Sequence, residues 1–457
     1  MSLEAPSERA RVTPGDIALL TDLYQLTMLQ AYWRENMNGE AVFSLFVRRL
    51  PHQRNFLVAA GLDEALRCLE TLHFSEAALA FLGQRPEFSA DFLAWLRDLR
   101  FTGQVRAMPE GTVLFASEPI LEVEASLPEA QLAETILMNQ IHLQTMLASK
   151  AARVVLAAQG RTVVDFGLRR MHGIDAGLKA ARAFHIAGVN ATSNVLAGAV
   201  YGVPIAGTMA HSYVQAHPTE ADAFRAFVEL YPDTVLLVDT YDTLDGVRSV
   251  VDLARELGPA FRVRAIRLDS GDIGKLARES RQLLDDAGLE AVRIFASGGL
   301  NEHTIERLLA EGAPIDGFGV GTSMGTSSDA PSLDIAYKLT EYAGTGRLKL
   351  SPGKSLLPGR KQVYRMERNG RMVADVIGRD DEDLPGRPLL VDVMKVGRRI
   401  AAGRVPLDQS RAHAAAQLRA LPPGIRTLEP ADPAYPVDFS TALKEAGERA
   451  AQRATTS

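Results

Sequence analysis

A single cysteine, Cys68, stands among 457 residues. It excludes an internal disulfide, and one lone thiol is ordinary in a reducing compartment, so the expected location is cytoplasmic. Long apolar runs are missing too. No stretch approaches the roughly 20 apolar residues that cross a bilayer, and the N-terminus, MSLEAPSERARVTPGD, lacks the apolar core of a signal peptide. The expectation is a chain neither exported nor anchored. Nor is there an excess of positive charge. Fifty Lys and Arg against 56 Asp and Glu leave a net charge of -6, which gives no general attraction for nucleic acid or an anionic membrane. Any phosphate must be met by a local site. No His/Cys cluster has zinc spacing, and neither G-x-x-x-x-G-K-[ST] nor G-x-S-x-G occurs, which disfavours zinc hydrolases, P-loop enzymes and α/β-hydrolases.

What is present describes an ordinary globular chain, 46% hydrophobic and 23% charged, long enough for two or three folding units. Residues 1–14 form a flexible leader in this reading, and residues 15–130 an α+β domain. Leu19, Leu20, Leu23, Leu26 and Leu29 give Asp16–Asn36 a helical stripe. AVFSLFVRRL favours a strand through Val42, Leu45 and Val47, Phe101–Glu124 gives further short strands, and Pro128–Ala158 predicts a helix. Residues 131–340 then change regime. Seven apolar runs, TVVDFG, VNATSN, PIAGT, TVLLVDT, VRAIRLDSGD, VRIFASGG and IDGFGVGT, each end in Gly, Asp, Ser, Thr or Asn, and the fourth, fifth and sixth start 29 residues apart. Helical stretches such as Ala221–Leu230 and Gly274–Ala287 separate the later ones. Repeated βα units mean a parallel sheet. Seven strands favour an irregular or incomplete TIM-like parallel α/β barrel over a doubly wound sheet, because polar residues gather at many strand ends instead of one crevice. Residues 341–457 return to Gly- and Pro-punctuated strands and Ala/Arg-rich helices that rejoin the α+β domain, with fraying from Arg453.

Chemistry in such a barrel is sought at the C-terminal ends of the strands. Asp165, Phe166, Arg169, Asn194, Thr208, His211, Asp239, Asp242, Asp269, Asp272, Ser297 and Thr322 lie there in this reading. The last two runs end in Ser297-Gly298-Gly299 and Gly319-Val320-Gly321-Thr322, where glycine lets backbone amides approach a phosphate; ligand-free turns are the alternative. Asp269 suits ribose hydroxyls or Mg²⁺, whereas Asp272 is better read as a helix cap. Arg267, two residues before Asp269 on one face of the strand, calls for an anion or an internal ion pair. His211 is either a hydrogen-bonded structural histidine or a base, nucleophile or phosphate acceptor. Cys68, in a helical stretch, reads as a small buried residue rather than a nucleophile, and Arg48, Arg49 and Arg54 form a local basic patch that could meet phosphate, although each alone reads best as solvated surface.

TDLYQLTM (21–28), FVRRLPHQRNFLVAAGL (46–62), DFGLRRMHG (165–173), GTMAHSY (207–213), DTYDT (239–243), RLDSGD (267–272), GVGTS (319–323) and PGRKQVYR (358–365) occur together and in order. This ordered set resembles the nicotinate phosphoribosyltransferases from about Asp16 to beyond Val396. The resemblance implies transfer of phosphoribosyl from phosphoribosyl pyrophosphate to nicotinate, with Mg²⁺ and with ATP as co-substrate, His211 being the phosphorylated histidine. It implies nicotinate contacts at Tyr24, Phe166, Thr208 and Arg267. Thr322 matches the family's phosphoribosyl pyrophosphate contact, and the reading of the rim adds Arg169, Asp269, Gly298, Gly299, Gly319 and Gly321. A homodimer is implied, with Tyr24 entering the partner's barrel. The related nicotinamide branch tends to show DFGxRG, whereas Arg169-Arg170 here precede Met171, which favours the acid. A barrel kept only for nucleotide binding would dispense with His211, Arg267 or the glycine loops, and all are present.

Overall fold

The computed structural model describes residues 12–350 and 357–456. Most of the expected leader, residues 1–11, lies outside them, and Pro14 already opens a 3-10 turn, Pro14–Leu19. The chain divides into two compact units, one made of residues 1–146 and 332–457 and the other of residues 147–331.

In the first unit, strands from both ends of the chain share one sheet. Its order is Thr345–Gly346, Ile335–Tyr342, Glu40–Val47, Pro119–Ser126, Gln104–Ala107, Val391–Lys395 and Arg398–Arg399, every pair antiparallel. EAVFSLFV becomes an interior strand because seven of its eight residues are apolar or small enough to be buried on both faces. Ser44, the polar exception, is satisfied by donating to Glu122 at 2.6 Å. A second, four-stranded sheet contains the hairpin Lys361–Arg368 and Arg371–Arg379, turned by Asn369 and Gly370, both at positive φ. The PGRKQVYR motif sits here as a buried ionic brace: Arg365 is fully buried against Asp375 and Gln417, and Lys361 Nζ meets Ser44 Oγ at 3.2 Å and Glu122 at 3.5 Å.

Three expectations in this unit need correction. The N-terminal helix is not continuous over 16–36: Asp22 adopts an extended backbone and the α-helix proper is Leu23–Arg34. Arg54 is not surface. It is 3% exposed and donates to the carbonyl of Met146 at 2.9 Å, while Arg48 is half-buried on Asp334 and Arg49 alone faces solvent. The C-terminal helix continues past Arg453, spanning Thr441–Thr456.

The second unit carries six parallel strands: Thr162–Asp165, Ala191–Thr192, Val235–Leu237, Ala265–Leu268, Arg293–Ala296 and Gly317–Val320. The first pairs with both the second and the sixth, and the sixth, fifth, fourth and third follow in register. The first and last strands of this unit are therefore neighbours, and the sheet curls as a half-barrel. PIAGT, expected as a seventh strand, makes only one bridge, Ile205 to Thr192. Pro204 has no amide to donate and Gly207 no side chain to pack, so the ladder ends there, and no pairing joins it to Val235–Leu237 among the described residues. Alternation decides which face carries chemistry. Ile266, Leu268, Ile294, Ala296, Phe318 and Val320 are buried on one face, which leaves Arg267, Phe295, Gly317 and Gly319 on the other. Among the described residues no helix is long and apolar enough to cross a membrane.

Candidate active site

The concave face is built around a ring and a guanidinium. Phe166 follows the first strand, its amide bonded to the Val320 carbonyl at 2.9 Å. Its ring lies low over the sixth strand because Gly319 leaves room: a Cβ there would stand 2.5 Å from Cε2 of Phe166. Gly317 does the same for Phe295, whose ring is tilted 55° to that of Phe166 with centroids 6.1 Å apart. Arg267 on the fourth strand brings its guanidinium 5.9 Å from the Phe166 centroid and donates from Nη1 to Thr208 Oγ1. Burial pulls this guanidinium below its usual range, Asp269 and Asp239 oppose that, and the nearby Arg169 reinforces it. Arg267 Nε is buried without a hydrogen-bond partner among the described residues. A donor in that condition costs free energy until an acceptor arrives.

Around this pair the strand ends are tied to one another. Asp165 is buried, and burial raises its carboxyl pKa although it accepts from the Gly167 amide at 2.8 Å and from Thr192 Oγ1 at 2.7 Å. It shapes the turn that presents Phe166. Asp239 accepts through Oδ2 from the Asp269 amide at 3.1 Å and from Ser270 Oγ at 2.5 Å, and Ser297 Oγ donates to Asp269. His211 shares a hydrogen bond between Nδ1 and Thr240 Oγ1 at 3.2 Å, and its Nε2 stands 3.9 Å from Asp269 Oδ2, too far for a hydrogen bond. That ring is 39% exposed, so Nε2 is reachable. Arg169, in the 3-10 turn Leu168–Arg170, is exposed with no acidic partner among the described residues. Gly298 and Gly299 have φ of +84° and +66° and form an exposed turn. Gly321 and the exposed Thr322 open the short helix Thr322–Gly325.

The structure thus brings Phe166, Thr208, His211, Arg267, Asp269 and the two glycine-bearing loops to one set of strand ends. Asp272 caps the helix Ile273–Asp286, Asp242 caps Thr243–Leu257 and Asn194 caps Val195–Tyr201, so these three serve the backbone. Tyr24 belongs to the other unit, half-exposed on the helix Leu23–Arg34, where it accepts from Gln25 Nε2 at 2.8 Å. It walls a groove of about 470 Å³ that Asp22, Glu134 and His142 also line. Burial, then Glu134, raises its phenol pKa. Sequence reasoning passed over Thr240, which orients His211, and Phe295, which supports Phe166. DTYDT did contain the first, but nothing marked its hydroxyl for a histidine 29 residues earlier.

Residues 19–142 match the model of the nicotinate phosphoribosyltransferase N-terminal domain, and residues 162–355 match that of the nicotinate phosphoribosyltransferase family. A nicotinate phosphoribosyltransferase of Mycobacterium tuberculosis is 55% identical over 423 residues, covering 93% of this chain and 91% of that protein. One from Bacillus subtilis is 43% identical over 378 residues, 80% of this chain and 77% of its own. The crystal structure of human nicotinic acid phosphoribosyltransferase superposes with a TM-score of 0.83 at 30% identity, covering 94% of this chain and 99% of that one.

Proposed function

The chain belongs to the nicotinate phosphoribosyltransferase family, and from that premise we propose how its strand ends form nicotinate mononucleotide and pyrophosphate from nicotinate and phosphoribosyl pyrophosphate, a step of NAD biosynthesis by salvage. The observation that carries the reading is Arg267, half-buried beside the Phe166 ring with Nε unpartnered. A guanidinium offers a carboxylate a planar, paired set of donors, and an aromatic ring offers a pyridine a stacking face. Nicotinate supplies both groups on one molecule. Its carboxylate lies against Arg267 and Thr208, its ring against Phe166.

The pyridine nitrogen already presents a lone pair, so no protein base is needed. The nitrogen–C1 bond forms as the C1–oxygen bond breaks, and pyrophosphate leaves with the electron pair. Positive charge gathers at the sugar and negative charge on the leaving group, which calls for donors fixed in advance. Gly298, Gly299, Gly321, Thr322 and Arg169 supply them, Gly319 seats the strand beneath the ring, and Asp269 faces the sugar hydroxyls. Asp239 and Asp269 would hold Mg²⁺, which supplies charge neutralisation for the leaving diphosphate. The residues fit that ion: among the described residues Asp239 Oδ1 is buried with no hydrogen-bond partner. Such a site suits a cation ligated largely by substrate phosphate.

His211 is assigned the energetic step. Its Nε2 attacks the γ-phosphorus of ATP, ADP departs, and water later cleaves the phosphorus–nitrogen bond. A dianion beside Asp269 and the glycine loops changes their charge and so the affinity for phosphoribosyl pyrophosphate. The sheet itself is read as a TIM-like barrel left open beside Ile205. The working molecule is read as a cytoplasmic homodimer: Leu20, Leu23 and Tyr24 in one unit and Val195, Leu196, Val200 and Ile205 in the other are 45–69% exposed and offer apolar side chains for a second copy to cover.

One assay tests the reading. Protein, phosphoribosyl pyrophosphate and Mg²⁺ are mixed with nicotinate or nicotinamide, with and without ATP, and mononucleotide is measured. Nicotinate should exceed nicotinamide by at least about 30-fold in kcat/KM, since stranding a buried arginine costs roughly 2 to 5 kcal/mol. His211→Ala should lose ATP hydrolysis and acid-labile phosphate while keeping slow transfer without ATP. Equal use of acid and amide would sink the Arg267 assignment.

A further inference from the structure

The segment ASKAARVV places Lys150 and Arg153 three apart on one face of the helix Glu134–Ala157. Neither reaches water: their side chains are 2% and 4% exposed. Burying a cation is costly without partners, and here the partners come from two different loops. Lys150 Nζ lies 2.7 and 2.6 Å from the two carboxylate oxygens of Glu302, itself 0% exposed, and 2.9 Å from Asp329 Oδ1. Arg153 Nε adds a bond to Glu302 at 3.1 Å. Burial alone would raise the Glu302 carboxyl pKa, but Lys150 and then Arg153 hold it below its usual value.

The positions of the two acids give the cluster its meaning. Glu302 is the first residue of the helix Glu302–Ala310, directly after the Ser297–Asn301 turn that holds Gly298 and Gly299. Asp329 follows the helix Thr322–Gly325 at the end of the other glycine-bearing loop, in a turn fixed by Ser327 Oγ donating to the Ala330 carbonyl at 2.8 Å. One ammonium therefore fastens both loops from beneath. We propose that Lys150 is a positioning residue that sets the spacing of these two loops for the phosphates of phosphoribosyl pyrophosphate. The inference rests on the phosphate reading of those loops given above. A ligand with two charged ends is sensitive to such spacing, and misplacing it by about 1 Å can cost about 100-fold in the rate of the oriented reaction.

The test separates positioning from simple stability. Lys150→Met keeps the length and removes the charge; Lys150→Arg keeps the charge; Lys150→Met with Glu302→Gln removes one charge of each sign from the cluster and serves if the first variant does not fold. The KM for phosphoribosyl pyrophosphate, the KM for nicotinate and the thermal shift given by inorganic pyrophosphate are measured for each, with circular dichroism as the check on folding. Lys150→Met or the double variant should raise the KM for phosphoribosyl pyrophosphate roughly 10- to 100-fold, leave the nicotinate KM within about twofold and lose the pyrophosphate shift, and Lys150→Arg should restore most of the loss. A folded Lys150→Met or double variant with an unchanged KM for phosphoribosyl pyrophosphate, or with both KM values moving together, overturns the role of Lys150 while the transferase reading stands. A wild-type protein that forms no mononucleotide overturns both.

Discussion

Glu220 shows how far one side chain can be moved from its solution chemistry by its neighbours. It begins the helix Glu220–Leu230, where the helix end favours a negative charge, yet burial and then the charges of Asp239, Asp245 and Asp242 push its carboxyl up to about 7. Burial and repulsion outweigh the helix end. Between pH 4.5, its ordinary value, and pH 7 the native state holds a proton that the unfolded chain has released. Stability from this group is thus fully present below the lower value and is lost as pH rises through the upper one. Glu220→Gln should leave Tm unchanged near pH 4 and raise it at pH 8 by roughly 2 °C, the modest figure reflecting solvent screening of a half-exposed group. Thermal melts of both proteins from pH 4 to 8 check this, and a Tm difference independent of pH would contradict it. At this scale the sequence was readable wherever a side chain answers to its nearest neighbours in the chain, as Asp272 does in capping the helix that follows it and Cys68 in its buried helical stretch. It was not readable for Arg54, whose acceptor is the Met146 carbonyl 92 residues away.

At the scale of elements, the strands that came out clearly were those with a regular beat. The fourth, fifth and sixth runs, 29 residues apart, all formed parallel strands with helices between them, since each βα unit needs about that length of chain. PIAGT carried the same apolar start but not the amide at Pro204, and Asp16–Asn36 carried a continuous stripe but also Asp22, which starts a new helix. Periodicity reports burial and is blind to both breaks. The turn after Arg293–Ala296 can be tested directly, because its two glycines differ. A Cβ on Gly298 would lie 1.7 Å from the Asp269 carbonyl oxygen, with φ at +84°, whereas Gly299, at φ +66°, has nothing within 4 Å. Gly298→Ala should therefore cost at least about 3 kcal/mol of stability, and Gly299→Ala only about 1 kcal/mol of backbone strain. Urea unfolding of the two variants measures the gap, and similar costs for both would mean that the Asp269 contact does not fix this turn.

For the molecule as a whole, the pairing of both chain ends in one seven-stranded sheet could not be drawn from local pattern, because antiparallel partners such as Glu40–Val47 and Ile335–Tyr342 lie almost 300 residues apart. The same distance hides where Tyr24 acts. Its residues of origin are the half-exposed Leu23 and Tyr24 on the helix Leu23–Arg34, while the Phe166, Arg267 and His211 group is carried by the other unit. If the homodimer shares its sites, Tyr24 completes the site of the partner subunit, and each of two sites then draws on two chains. Two variants that separately lack ATP-coupled activity, Tyr24→Ala and His211→Ala, can then repair one another. In a hybrid dimer one site would combine both altered residues and the other would have neither. Random exchange of equal amounts puts half of all dimers in the hybrid form, so about one quarter of the wild-type ATP-coupled activity should return, since one site in each hybrid is intact. Activity after mixing under conditions that exchange subunits, with exchange verified by differently tagged chains, decides the matter. No recovery in a sample of proven hybrids would mean that each chain builds its site alone.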